Sequence, residues 1–212
     1  MTASRSTPTS DRLFYALELP AELRDGLAAW SAPAVAMDPA LRAVAGARLH
    51  VTLLFLGDVS ADERARLGAA LIALAPRAVT LAVRGLVGIP RRRPRLFAAE
   101  HAACGAEELR SELIARLTAA GLPHGDPEQI ERPFWPHTTL LRTRRAAVAN
   151  LVAERFEAPP EALRGEHDVV RVCLYRSNKS SGGSPGEAYE PLAGLELPRS
   201  SDDQAGRTAT KR

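Results

Sequence analysis

Residues 49–56 read Leu49-His50-Val51-Thr52-Leu53-Leu54-Phe55-Leu56, and residues 137–140 restate the start of that phrase as His137-Thr138-Thr139-Leu140. The first stretch is short, rich in β-branched and aromatic side chains, and closed by Gly57-Asp58, which predicts a buried strand rather than a helix. Successive side chains alternate across a strand, so His50 and Thr52 share one face, and His137 and Thr139 share one face of a second strand. The opposite face of the first strand takes Val51, Leu53 and Phe55, an apolar row able to pack into a core and hold the polar pair in place.

An imidazole beside a hydroxyl, presented twice, is a set suited to phosphoryl transfer. In-line displacement at phosphorus needs a base to take a proton from the attacking water and an acid to protonate the departing oxygen. Histidine, with an ordinary pKa of about 6.5, serves either role near neutrality. Two are needed because attack and departure lie on opposite sides of phosphorus. The threonine hydroxyls can donate to the non-bridging oxygens. One HxT in an apolar strand occurs often by chance and reads as a satisfied core histidine; two copies, each on a strand and each followed by leucine, point to function. HxxxH and HExxH patterns are absent and no carboxylate lies in either tetrapeptide, so no metal and no cofactor is expected.

Outward from the motifs, Arg12–Leu19 reads as the first strand, and Pro20 opens a helix of about ten residues that gives way to a Pro- and Ala-rich connection. Ser60 with Glu63 has capping-box spacing, and Leu67, Leu71 and Leu74 continue a helix ending near Pro76. Val79–Ile89 and Arg95–Ala99 form a hairpin around the basic IPRRRPR turn. A helix spans about Ala106–Ala120, stopped by Gly121 and Pro123. The second motif strand covers His137–Arg142. A helix is expected at 146–156, strands at Asp168–Tyr175 and Tyr189–Leu197, and a mobile Gly/Ser-rich turn between those two strands. Strands and helices mix without regular βα alternation, which predicts an α+β fold of antiparallel type.

The chain has 212 residues, 45% of them hydrophobic, enough to bury a full core. We expect a single domain over residues 11–198, flanked by polar, disordered tails at 1–10 and 199–212. No stretch approaches the roughly 20 apolar residues of a membrane-spanning helix, and the N-terminus has no apolar leader, so a soluble cytoplasmic protein is expected. Cys104 and Cys173 are expected to be buried free thiols, in keeping with a reducing compartment. Of the formal charge of +3, the tail from Arg199 onward contributes +2, leaving a nearly neutral body that does not resemble a duplex DNA binder. Only Lys179 and Lys211 among the 28 basic residues are lysines. Arginine is so favoured in this chain that Arg91, Arg92, Arg93 and Arg95 read first as a solvated turn, and as an RNA-backbone track only second. His101, His124 and His167 have no partner motif and are read as structural or surface residues.

The opening Arg12-Leu13-Phe14-Tyr15-Ala16-Leu17, the first motif Leu49–Gly57 and the second motif Pro136–Arg142 together resemble the RNA 2',3'-cyclic phosphodiesterases, also called 2'-5' RNA ligases, of the 2H phosphoesterase superfamily. The resemblance runs over about residues 12–197. It departs at Arg95–Ala99, which lacks a tryptophan common there. It implies a bilobal, pseudo-twofold antiparallel fold with the two motifs facing across a groove. It also implies hydrolysis of the cyclic phosphate at RNA 3' ends to a 2'-phosphomonoester, with 2'-5' ligation as the reverse reaction. By the family's usual assignment His50 is the proton donor and His137 the proton acceptor, roles that two near-equivalent motifs do not distinguish by themselves. Arg142 matches a basic residue that looks like a phosphate contact. On a regular strand it would face away from His137 and Thr139, so either the strand ends or bulges near Leu141, or Arg142 is a surface arginine. Phe14 matches an N-terminal aromatic that can flank a base. A monomer is expected, since one chain supplies both motifs. Rival readings keep the two histidines but change the substrate to a small cyclic nucleotide or another 2'-linked phosphate ester, or make the protein a non-catalytic binder of RNA ends.

Overall fold

Leu13 through Leu17 are buried without interruption, the mark of a strand covered on both faces. In the computed structural model, which describes residues 11–37, 40–123, 125–143, 158–177 and 189–200, this strand is β1 (Asp11–Glu18), at the interior of a four-stranded antiparallel sheet. The order is β3 (His50–Val59), β1, β8 (Arg171–Arg176), β9 (Glu190–Glu196). The second sheet has five strands in the order β2 (Leu41–Ala43), β6 (His137–Thr143), β5 (Leu96–Cys104), β4 (Val79–Ile89), β7 (His167–Val169). Every recorded pairing is antiparallel. β3 of the first sheet packs beside β6 of the second, so the two motif strands meet where the lobes meet. The expected helix at 146–156, most of the Gly/Ser-rich turn, the N-terminal tail and the chain beyond residue 200 lie outside the described residues.

The helices seal the outer faces. α1 (Ala21–Met37) lies on β2 and β6. α2 (Ala61–Ile72) packs on β8 and β9, and α3 (Ala106–Ala119) touches β3 in one sheet and β5 in the other. The Ser60–Glu63 capping box is formed in both directions, as its spacing predicts. Gly105 starts α3 at φ 77°, and a Cβ there would lie 2.3 Å from the Ala78 carbonyl oxygen, so only glycine fits. Two short helices follow, α4 (Pro127–Glu131) and α5 (Glu161–Arg164). Among the described residues no helix is long and apolar enough to cross a membrane.

Three expectations need correction. α1 runs 17 residues instead of about ten, because its Ala-rich second half keeps helical geometry through Pro33. The strand expected over Asp168–Tyr175 is two strands in different sheets. β7 pairs with β4, β8 pairs with β1, and Val170, 37% exposed, marks the crossing. Cys173 is buried, but Cys104 is exposed at the end of β5; both thiols are free.

Candidate active site

The two motif strands share a backbone irregularity that alternation alone does not reveal. Along β3, Thr52 pairs with Ala16 and Leu54 with Tyr15, so Leu53 is an extra residue. Along β6, Thr139 pairs with Ala98 and Leu141 with Phe97, so Leu140 is the extra residue. Each is a β-bulge, which shifts the alternation by one. Across the bulge two consecutive leucines are buried, and the residue after them returns to the face of the histidine. That residue is Phe55 on β3 and Arg142 on β6. Phe55 is therefore not in the core row expected of it but on the histidine face, 51% exposed. Arg142 shares a face with His137 and Thr139, because the strand bulges near Leu141.

The correspondence extends to the neighbouring strands. His50 lies opposite Glu18, Thr52 opposite Ala16, and Phe55 opposite Phe14. His137 lies opposite Glu100, Thr139 opposite Ala98, and Arg142 opposite Leu96. Each threonine thus faces a methyl group, which leaves room above it, and each histidine has a carboxylate as cross-strand neighbour.

Both imidazoles are held the same way. His50 Nδ1 donates to the carbonyl of Arg48 at 2.7 Å, and His137 Nδ1 donates to the carbonyl of Trp135 at 2.9 Å. A carbonyl can only accept, so Nδ1 carries the hydrogen and Nε2 of each neutral ring is left for chemistry. His50 Nε2 lies 3.1 Å from Thr52 Oγ1. Burial pushes the His50 pKa down to about 4, with further lowering by the charges of His137, Arg48 and Arg142. The charges of His137 and Arg142 act on His50 across the junction where β3 packs beside β6.

The surroundings of the two rings differ. Around His50 gather Phe14, with ring centroids 5.1 Å apart, and Tyr189, edge-on at 5.3 Å. Phe14 also contacts Phe55 at 5.9 Å, Tyr175 at 5.6 Å and Tyr189 at 4.9 Å. Phe14 is buried beneath this cluster, and Phe55 is its most accessible ring. Arg48 stacks over Tyr189 and donates to its hydroxyl at 2.8 Å. His137 instead lies flat on Trp135, with ring centroids 4.2 Å apart and 19° between planes. Glu100 accepts from the Trp135 indole at 2.7 Å and fixes that ring in turn.

Several contributors escaped the sequence reading. Trp135 and Glu100 act on His137 through register and stacking, for which no sequence pattern stands. Arg110 of α3, 6% exposed, donates from Nε to the carbonyl of the bulge residue Leu53 at 3.1 Å and from Nη2 to the carbonyl of Gln129 at 2.9 Å. A buried arginine on an apolar helix stripe was the available signal. His101, read as structural or surface, is buried behind β6 with Nε2 2.9 Å from Thr138 Oγ1, and its backbone N–H donates to the carbonyl of Pro136. Desolvation, then the charges of His137 and His167, lower its pKa to about 4.

Two antiparallel lobes joined along strands that each carry an HxT pair define a 2H phosphoesterase-type fold. The chain belongs to the 2'-5' RNA ligase superfamily, whose family model matches residues 19–181. It is 31% identical over 181 residues to an RNA 2',3'-cyclic phosphodiesterase of Escherichia coli K12, covering 85% of this chain and 93% of that one. It is 34% identical to a protein of the same name from Aeropyrum pernix, over 74% of this chain and 84% of the relative. Among solved structures, E. coli LigT complexed with 3'-AMP superposes with a TM-score of 0.67 at 28% identity, covering 90% of this chain and all of that one. The protein TT0787 of Thermus thermophilus does so with a TM-score of 0.64 at 30% identity, over 89% and 99% of the two chains.

Proposed function

We propose that this protein hydrolyses the 2',3'-cyclic phosphate at RNA 3' ends to a 2'-phosphomonoester, without a metal. The observation that carries the reading is the pair of imidazoles, each fixed by its Nδ1 to the carbonyl two residues back and each followed by a threonine on the same face. His137 takes a proton from water through Nε2 as the water oxygen bonds to phosphorus. The bond from phosphorus to the 3' oxygen breaks, and His50 protonates that oxygen. Thr52, Thr139 and Arg142 hold the non-bridging oxygens, where charge must be borne. Phe55, resting on Phe14, offers a π-face to the terminal base.

The depressed pKa of His50 fits the donor role in one respect. In the free protein the ring is neutral at pH 7, and an arriving phosphate anion favours its protonated form. The acid is then assembled with the substrate. On the other side, the His137 ring lies flat on Trp135, which holds its plane as it takes up the proton. A 5' hydroxyl in place of water as the nucleophile takes the same steps, with the 3' oxygen again leaving, and forms a 2'-5' linkage. One chain supplies both histidines, so we take a cytoplasmic monomer as the active unit.

The test is incubation with a short RNA ending in a 2',3'-cyclic phosphate in excess EDTA, following the product by phosphorus NMR. Conversion to the 2'-phosphate is expected, with most turnover lost in His50→Ala and in His137→Ala. Thr52→Ala and Thr139→Ala should each cost roughly 10- to 1000-fold. A histidine variant that keeps near-wild-type rate would remove that residue from the mechanism. Turnover of a small cyclic nucleotide alone would transfer the activity to that substrate, and no turnover of either would leave a binder of RNA ends.

A further inference from the structure

We propose that Arg42 contacts the phosphodiester on the 5' side of the terminal nucleotide and so sets a preference for polymeric RNA over a 2',3'-cyclic mononucleotide. This rests on the cyclic-phosphate reading above. In the β2–β6 pairing Arg42 lies directly opposite Arg142. Cross-strand partners share a face, so Arg42 is on the side of the sheet that carries His137 and Thr139. The burial on β2 agrees, since Leu41 on the other face is buried in the core and Arg42 is exposed.

Like charges directly opposite on a sheet repel, with Cβ atoms only about 5 Å apart. Several arginines of this chain bond to carboxylates, Arg64, Arg77, Arg171 and Arg176 among them. Among the described residues neither Arg42 nor Arg142 has such a partner. Two adjacent, unneutralised guanidiniums beside a phosphate site form a seat for two anions. One is the cyclic phosphate. The second, at the neighbouring position, is an anion that an RNA chain carries and a cyclic mononucleotide lacks, the internucleotide diester. The basic turn begins at the same end of the cleft, because the Thr143 N–H at the end of β6 donates to the carbonyl of Arg95 at 2.9 Å. Arg91, Arg92 and Arg93 are exposed there and extend the positive surface in the direction the chain would leave.

An edge strand also carries charge to prevent strand addition. That role predicts no difference between substrates, and the experiment separates the two accounts. kcat/KM is measured on adenosine 2',3'-cyclic phosphate and on a pentaribonucleotide ending in the same group, for the wild type, Arg42→Gln and, as a charge-matched control on the outer helix α2, Arg66→Gln. The wild type should favour the pentanucleotide, and Arg42→Gln should reduce that ratio about tenfold while Arg66→Gln leaves it unchanged. The slope of log kcat/KM against log salt for the pentanucleotide should become shallower by about 0.7 in Arg42→Gln. An unchanged ratio in Arg42→Gln, or an equal loss on both substrates, overturns the proposal while leaving the parent activity intact. A wild type inactive on both substrates overturns the parent reading, and the proposal falls with it.

Discussion

At the scale of single residues, the site is a contest between burial and charge. His50 is pushed toward its neutral form chiefly by desolvation, and Arg142 adds to that from across the lobe junction. Replacing Arg142 by glutamine removes a positive charge that disfavours the imidazolium. The His50 pKa in the free protein should rise from about 4 toward the ordinary value of about 6.5. An NMR titration of the His50 ring in Arg142→Gln checks this. A downward shift or none would mean that Arg142 does not face His50. The two histidines and two threonines were legible from the repeated tetrapeptide, because their identity and spacing are local. The faces of Phe55 and Arg142 were not. Period-two alternation sends both away from the histidines, and only a bulge, invisible without the partner strand, turns them back.

Elements explain how that bulge is kept. An extra residue in a ladder leaves a backbone carbonyl without its sheet partner, and in β3 the Leu53 carbonyl is met by the Arg110 guanidinium from α3. Arg110→Met keeps the apolar stem but leaves the Leu53 and Gln129 carbonyls without this donor. We expect a loss of about 3 kcal/mol in urea unfolding. Turnover should fall as well, since Thr52 and Phe55 flank the bulge. A stability within about 0.5 kcal/mol of wild type would show that water replaces the arginine. Most elements were legible because each carries its own punctuation, as Ser60 and Glu63 do for α2 and Gly121 and Pro123 for α3. The elements misread are those decided at a distance. Whether Val169 and Val172 belong to one strand or two depends on which sheet each meets, and nothing in a valine-rich stretch records that.

For the whole molecule, the near-twofold arrangement was legible only as two similar phrases. Its extent was not. Phe14, Ala16 and Glu18 on β1 correspond to Leu96, Ala98 and Glu100 on β5, a likeness too faint to find without the register. The matching positions are occupied unequally. Where the first lobe has Phe55 the second has Arg142, and where His50 sits among Phe14 and Tyr189, His137 lies on Trp135.

A cleft of strict twofold symmetry would be indifferent to which way round its substrate lay. A cyclic phosphate ester could then be opened at either oxygen, and the product would be a mixture of isomers. In the reaction proposed above, Phe55 and Arg142, at corresponding places on the two motif strands, would remove that indifference by drawing the base to one side and the anion to the other. The outcome of the reaction would in this sense be a handedness, carried by unequal occupants of a duplicated frame. Phe55→Arg should restore some of the lost ambiguity, visible as a minor 3'-phosphate signal in the phosphorus spectrum. A product that remains wholly 2'-phosphate would place the choice elsewhere, in the difference between the two histidines themselves.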